Sequence, residues 1–285
     1  MSETSADQVS PPAVEHTQHA QHYAAGDVVG RILAALNARY GEQAPLTTAD
    51  LTTWDQFHSG GIEATQALLQ RADIQASERV LDIGGGLGGS ARVLAQQLGC
   101  HVTVLDLTDA YCQIGAELTR RSGLSEQVQF WQGDALELPF ADGSFEVVWT
   151  QHSSMNIADK ARLYGQIQRV LRPGGRLVLH EVAAGSGQAL HYPLPWARSE
   201  AATFLQRPND LRQSVSDAGF VERDWADLTD WTLGWFQRQQ SAAPNPGTLN
   251  LSLLLGPDAA SMGRNFALNV QQGRIRVIQG VFKRL

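Results

Sequence analysis

Val80-Leu81-Asp82-Ile83-Gly84-Gly85-Gly86-Leu87-Gly88-Gly89 reads as a short buried strand that runs into glycines and then into a helix. Glycines at the end of a strand mark a place where main chain approaches a ligand closely, since any Cβ fills that room. The spacing Gly84, Gly86, Gly89 satisfies the dinucleotide fingerprint. Asp106 follows about 20 residues on at a strand end, where a carboxylate takes ribose hydroxyls. Taken alone, the loop does not say which cofactor it holds.

Outward from this loop, short apolar segments alternate with helical ones, the pattern of a parallel sheet covered on both faces. Strands are expected over 79–83, 102–106, 128–132, 145–150 and 176–181, with helices near 89–98, 110–122 and 159–171. Arg172-Pro173-Gly174-Gly175 reads as a turn that cannot continue the last of these helices. Residues 183–207 are Gly- and Pro-rich and too long for a simple connection, so they read as a lid insertion. A helix over 208–219, a strand over 220–228, a helical insertion near 229–273 and a last strand over 275–283 complete the chain. On the other side of the loop, Val28, Val29, Ile32, Leu33 and Leu36 recur at helical spacing with Gly41 as a stop. Residues 23–75 are thus expected to be a helical N-terminal cap before a main domain over 76–285. Residues 1–22 are polar and aperiodic and read as a flexible tail.

The 285 residues, 43% hydrophobic, suffice for a full core. A net charge of −7 without a Lys/Arg run argues against nucleic acid and a membrane surface. No apolar run reaches the roughly 18 residues a membrane helix needs, and the N-terminus lacks a leader pattern, so the cytoplasm is the default compartment. Cys100 and Cys112 are too few for a disulfide framework or a metal cluster, and no metal site is expected.

Three features separate the cofactor readings. Asp82 stands just before the glycines, where a carboxylate suits a cofactor's amino-acid end and a nicotinamide's pyrophosphate has no use for one. Gly133-Asp134-Ala135 follows the third strand, where a carboxylate accepts from an adenine amino group. A second glycine-rich crossover, which a full dinucleotide fold would need, is missing. The ordered set DIGGGLGG, LDL, QGDALELPF and VLRPGGRLVLHE resembles the class I S-adenosylmethionine methyltransferases over about 79–182. The resemblance implies a Rossmann-like α/β sheet with helices on both faces and S-adenosylmethionine as cofactor, released as S-adenosylhomocysteine. It puts Gly84, Gly86 and Gly88 on the methionyl part, Asp106 on the ribose and Asp134 with Ala135 on the adenine, and makes Leu107 a further cofactor contact. Each acid alone also suits a turn or helix cap; their joint position at strand ends favours the site.

The fourth strand ends in Val148-Trp149-Thr150-Gln151-His152-Ser153-Ser154-Met155-Asn156-Ile157, facing the cofactor in such a fold. Gln151 is a candidate cofactor contact, and His152 and Asn156 are the candidate catalytic residues. The imidazole serves equally as base or orienting group, and the carboxamide can only fix a substrate. Thr53-Trp54-Asp55-Gln56-Phe57-His58-Ser59-Gly60-Gly61 resembles a motif of the glycine, sarcosine and dimethylglycine N-methyltransferase group that folds over the cofactor. That implies Gln56, His58 and Gly60 as cofactor contacts. Tyr23 and Trp54, with His191, Tyr192 and Trp196 of the lid, are candidate acceptor contacts. Asn156 stands where relatives that methylate sarcosine carry a histidine, so the acceptor stays open between an amine or amino-acid nitrogen and the oxygen or carbon of a natural product. A non-catalytic cofactor-binding module is a further reading, and the aromatics of the lid suit a homodimer as well as a small-molecule substrate.

Overall fold

The computed structural model describes residues 28–241 and 249–285. The expected tail over 1–22, and Tyr23, lie outside the described residues. Among those described, seven strands form one sheet in the order β3-β2-β1-β4-β5-β7-β6. They are β1 (Arg79–Ile83), β2 (His101–Asp106), β3 (Val128–Gln132), β4 (Phe145–Gln151), β5 (Leu171–Ala184), β6 (Phe220–Asp227) and β7 (Ile275–Arg284). The longer helices are α1 (Val28–Tyr40), α2 (Gly61–Ala72), α3 (Gly89–Leu98), α4 (Asp109–Arg121), α5 (Lys160–Val170), α6 (Pro208–Asp217), α7 (Thr229–Ser241) and α8 (Ala259–Gln271).

Period-2 alternation with both faces buried explains why the strands read as unbroken apolar runs. Leu81, Ile83, Val148 and Leu177 pack on Leu163 and Ile167 of α5 and Leu211 of α6. Val80, Val102, Val147, Trp149 and Val178 pack on Leu68 of α2 and on Ala91 and Leu94 of α3. Strand order reverses between β1 and β4, each parallel to its neighbours. Such a switch point opens a crevice at the C-terminal strand ends.

Two expectations change. The sheet is mixed, because β7 runs antiparallel to both β5 and β6. An apolar run buried on both faces reads the same in either direction, so the sequence carries no sign of it. Arg172–Gly175 is not a simple turn but a bulge at the start of β5. Leu171 pairs with Phe145, and pairing resumes only at Arg176 with Val147.

Around the sheet, α1 buries Val28, Ile32 and Leu36 against Ile114 and Leu118 of α4. Arg121 holds the following loop through the carbonyls of Ala44 (2.9 Å) and Gly41 (3.0 Å). The irregular segment after β5 is pinned by buried Asn269 of α8. Its carboxamide accepts from the His191 N–H (3.0 Å) and donates to the His191 carbonyl (3.0 Å).

Candidate active site

A cavity of about 520 Å³ opens at the switch point. On its β3-β2-β1 side it is lined by Asp82, Gly84–Leu87, Asp106–Thr108 and Gly133–Leu136. Asp82 has the parity of Val80 and so projects to the α3 face, directly beneath the glycine turn. A Cβ on Gly85 would stand 2.7 Å from Asp82 Oδ2. Gly86, at φ +55°, has no atom within 4 Å of where its Cβ would be, so its open side is the cavity. Asp106 accepts from the Gly86 N–H (2.9 Å) and the Thr108 N–H (2.8 Å). Asp134 accepts from the Leu136 N–H at 2.8 Å. The glycine turn is thereby tied to one of the acids that share the cavity.

Asp82 is 2% exposed, and its Oδ2 has no hydrogen-bond partner among the described residues. Burial, reinforced by the nearby Asp106 carboxylate, pushes its pKa up to about 7. An acid held above its unfolded value keeps its proton while the unfolded chain ionises. Asp82 therefore costs stability progressively from about pH 4 to pH 7, and in full above that. Asp82→Asn is expected to gain stability relative to wild type at pH 8 but not at pH 4.5. Thermal melts at the two pH values check this, and an equal difference at both would show the carboxyl already ionised in the fold.

The strand-four end supplies the middle of the cavity with Gln151, His152, Met155 and Asn156, joined by His58 and Ser59. Gln151 Oε1 accepts from Trp149 Nε1 (2.8 Å) and from Ser90 Oγ, and its Nε2 donates to Thr65 Oγ1 (3.3 Å). It is a knot joining β4, α2 and α3 as well as part of the wall. His152 adopts φ +51°, a region that costs a non-glycine residue strain. The conformation is held by its N–H to the His180 carbonyl (2.8 Å) and by stacking of the two rings at 4.8 Å. His152 Nε2 lies 3.2 Å from Ser59 Oγ, and His180 Nε2 donates to the Ser59 carbonyl (3.1 Å). His58 Nε2 meets Thr65 Oγ1 at 3.1 Å. Burial first, and the neighbouring imidazoles second, push His152 well below its usual value. His58 falls to about 3 and His180 to about 4 for the same leading cause. All three imidazoles are neutral near pH 7.

Several expected contacts stand elsewhere. Gln56 accepts from Thr65 Oγ1 (2.9 Å) behind the wall. Gly60 makes room for Trp231, whose ring would meet a Cβ at 2.6 Å, and Gly88 makes room for Phe130 at 2.5 Å. Trp54 is buried among Leu36, Leu51 and Leu87. His191 pairs with Gln272 (2.9 Å), and Tyr192 packs beside Leu194 and Val277; neither lines the cavity. Trp196, Leu107, Ala135 and His58 do line it.

Arg92 and Asp55 are not among the expected site residues; their side chains are 0% exposed and pair at 2.7 Å. Arg92 also donates to the Leu87 carbonyl (2.7 Å) and Thr119 Oγ1 (3.0 Å). It thus clamps the glycine turn between the DQFH segment and α4. An arginine inside the apolar stripe of Gly89–Leu98 was its signal. Glu181, fully buried, accepts from Thr150 Oγ1 (2.9 Å) and the Ser154 N–H (3.2 Å), fixing the loop after β4. His180 and Glu181 interrupt an otherwise apolar strand, and that interruption was readable.

Residues 81–179 match the Methyltransf_11 family model, a methyltransferase domain. The chain carries a methyltransferase domain. Its fold is that of the class I methyltransferases. It superposes on geranyl diphosphate C-methyltransferase from Streptomyces coelicolor A3(2), solved with Mg2+, geranyl-S-thiolodiphosphate and S-adenosyl-L-homocysteine. The TM-score is 0.70 at 17% identity, over 97% of this chain and 100% of that one. In sequence it is 31% identical over 180 residues to a glycine/sarcosine/dimethylglycine N-methyltransferase of Actinopolyspora halophila, covering 63% of this chain and 32% of the relative. It is 39% identical over 100 residues to a probable tocopherol O-methyltransferase of Oryza sativa subsp. japonica, covering 35% and 28%. The chain thus spans about a third of the length of these curated relatives.

Methyltransferase domains of this kind use S-adenosylmethionine. The residues present fit it. The unpartnered Asp82 oxygen is an acceptor for an ammonium group, the open side of Gly86 leaves room for a ligand, and two further acids border the same crevice. Among the described residues no His/Cys/Asp/Glu group is arranged to hold a metal ion, and no helix is long and apolar enough to cross a membrane.

Proposed function

We propose that this chain is an S-adenosylmethionine-dependent methyltransferase acting on a small-molecule acceptor seated beyond the end of β4. The observation that carries the reading is one continuous cavity. Its wall joins the glycine turn and three acids on one side to His152 and Asn156 on the other. Asp82 would hold the cofactor's amino-acid end, Asp106 its ribose and Asp134 its adenine, with Leu107 and Ala135 against the ring and Gln151 and His58 bordering the transfer point.

When bound, the cofactor supplies a methyl group already activated on a sulfonium. The protein's own part is to orient the acceptor and exclude water, and positioning of this kind contributes roughly 7–11 kcal/mol of barrier lowering. His152 suits orienting a hydroxyl acceptor through a hydrogen bond: burial keeps the imidazole neutral and makes it a weak proton acceptor, and Ser59 stands against one ring nitrogen. Asn156 offers a carboxamide to orient the acceptor. The resemblance of DQFHSGG and the Actinopolyspora relative support an amine or amino-acid nitrogen; the tocopherol relative supports an oxygen acceptor.

Incubation with methyl-labelled S-adenosylmethionine and a panel of glycine, sarcosine, dimethylglycine, phenols and isoprenoid alcohols tests the proposal. Label is expected in at least one acceptor, with S-adenosylhomocysteine formed in equal amount. Tight S-adenosylhomocysteine binding with no transfer across the panel would make the protein a binding module.

A further inference from the structure

We infer that the acceptor of this site is an uncharged, apolar molecule, and not an amino acid, a phosphate ester or a cationic amine; the inference rests on the methyl-transfer reading above. Beyond His152 the wall is made by Met155, Pro195, Trp196, Phe236 and Phe266. The rings interlock, Trp196 and Phe236 each standing 5.4 Å edge-on to Phe266, which in turn lies 6.1 Å from His152. Met155, Trp196 and Phe266 are 4%, 2% and 5% exposed, so this half of the cavity has a fixed apolar surface.

The cations on the elements that build this half are committed elsewhere or lie outside it. Lys160 donates its ammonium to the carbonyls of Ser154 and Ile157 beneath the loop. Arg198 pairs with Asp258 at 2.7 Å, and Arg238 with Glu63 at 3.1 Å. Arg207 and Arg264 are exposed and not in the cavity wall. Arg162 does reach the wall, but it donates to the Leu136 carbonyl (2.9 Å) and pairs with Glu137, which places it with Asp134 on the cofactor side. Among the described residues, then, no free cation waits for a carboxylate or phosphate.

An anion moved from water into such a surface without a partner loses its hydration and gains nothing in return. Three acids of the cavity stand on the β3-β2-β1 side; of the other two, Asp55 is paired with Arg92 at 2.7 Å and Asp159 accepts from the Arg162 N–H at 2.9 Å, so a permanently cationic acceptor lacks an uncommitted counter-charge as well. The polar side chains on this half of the wall are neutral: the His152 imidazole, with the Ser59 hydroxyl 3.2 Å from its Nε2, the Ser153 hydroxyl and the Asn156 carboxamide. That set suits one hydroxyl or one activated carbon on an otherwise apolar skeleton, packed against aromatic faces.

The test is calorimetric binding to protein saturated with S-adenosylhomocysteine. The uncharged probes are 1-naphthol and geraniol; the charged ones are 1-naphthoate, sarcosine, dimethylglycine and dimethylethanolamine. 1-Naphthol is expected to bind at least about tenfold more tightly than 1-naphthoate, a difference of about 1.4 kcal/mol. Sarcosine, dimethylglycine and dimethylethanolamine are expected to bind more weakly still. Phe266→Ala should weaken 1-naphthol while leaving S-adenosylhomocysteine affinity unchanged. Charged probes that bind as tightly as 1-naphthol, or failure of both uncharged probes to bind, would overturn the inference and leave the methyl-transfer proposal standing. Failure of S-adenosylhomocysteine itself to bind would instead overturn that proposal and the inference with it.

Discussion

Replacing Arg92 by methionine is expected to cost the fold about 3–5 kcal/mol, the loss found when one partner of a buried ion pair is removed. The Asp55 carboxyl would be left without its guanidinium partner on a side chain that is 0% exposed. The carbonyl of Leu87 and the hydroxyl of Thr119 would each lose a donor. The relief available to a surface carboxylate, hydration, is closed to a side chain this buried, and the segment that carries it is packed against Gly89. A Cβ there would lie 2.3 Å from the Asp55 carbonyl oxygen. Denaturant melts of Arg92→Met and of the double variant with Asp55→Asn separate the causes. If the stranded charge dominates, the double variant recovers much of the loss, because coupled neighbours are not additive. An equal loss in both would place the cost in the Leu87 and Thr119 contacts.

Asp106→Ala is expected to weaken S-adenosylhomocysteine binding by roughly 10- to 100-fold, since hydrogen bonds to a charged group contribute about 1.5–3 kcal/mol. The carboxylate does two things at once. It accepts from the Gly86 and Thr108 N–H groups and so shapes the glycine turn, and it borders the cavity where a ribose would lie. Titration calorimetry measures the affinity, and a thermal melt alongside it reports the loop. Unchanged affinity with a lowered melting temperature would make Asp106 a cap of the turn and nothing more.

The β3-β2-β1 side of the cavity was legible because it is local. Asp82, Gly84, Gly86, Asp106 and Asp134 sit at strand ends, and strand ends are set by alternation and glycine within a few residues. The other half depends on which face of an irregular segment turns inward, and neighbouring residues do not decide that. In the lid, Trp196 reaches the cavity while Tyr192, four residues earlier, packs on Leu194 and Val277. In the DQFH segment, Phe57 faces the cavity and Trp54 the core behind it. Gly60 and Gly88 look like cradle residues by composition, yet distant aromatics, Trp231 and Phe130, demand them. The antiparallel entry of β7 between β5 and β6 was equally silent, because direction leaves no mark on a strand buried on both faces.

The turn from Asp82 to Gly89 is proposed to serve a methyl donor and not a nicotinamide. Titration calorimetry of the whole chain with S-adenosylhomocysteine and, separately, with NAD distinguishes the two. Saturable one-to-one binding of S-adenosylhomocysteine with no heat from NAD is the predicted result; tight NAD binding with none of S-adenosylhomocysteine would contradict it.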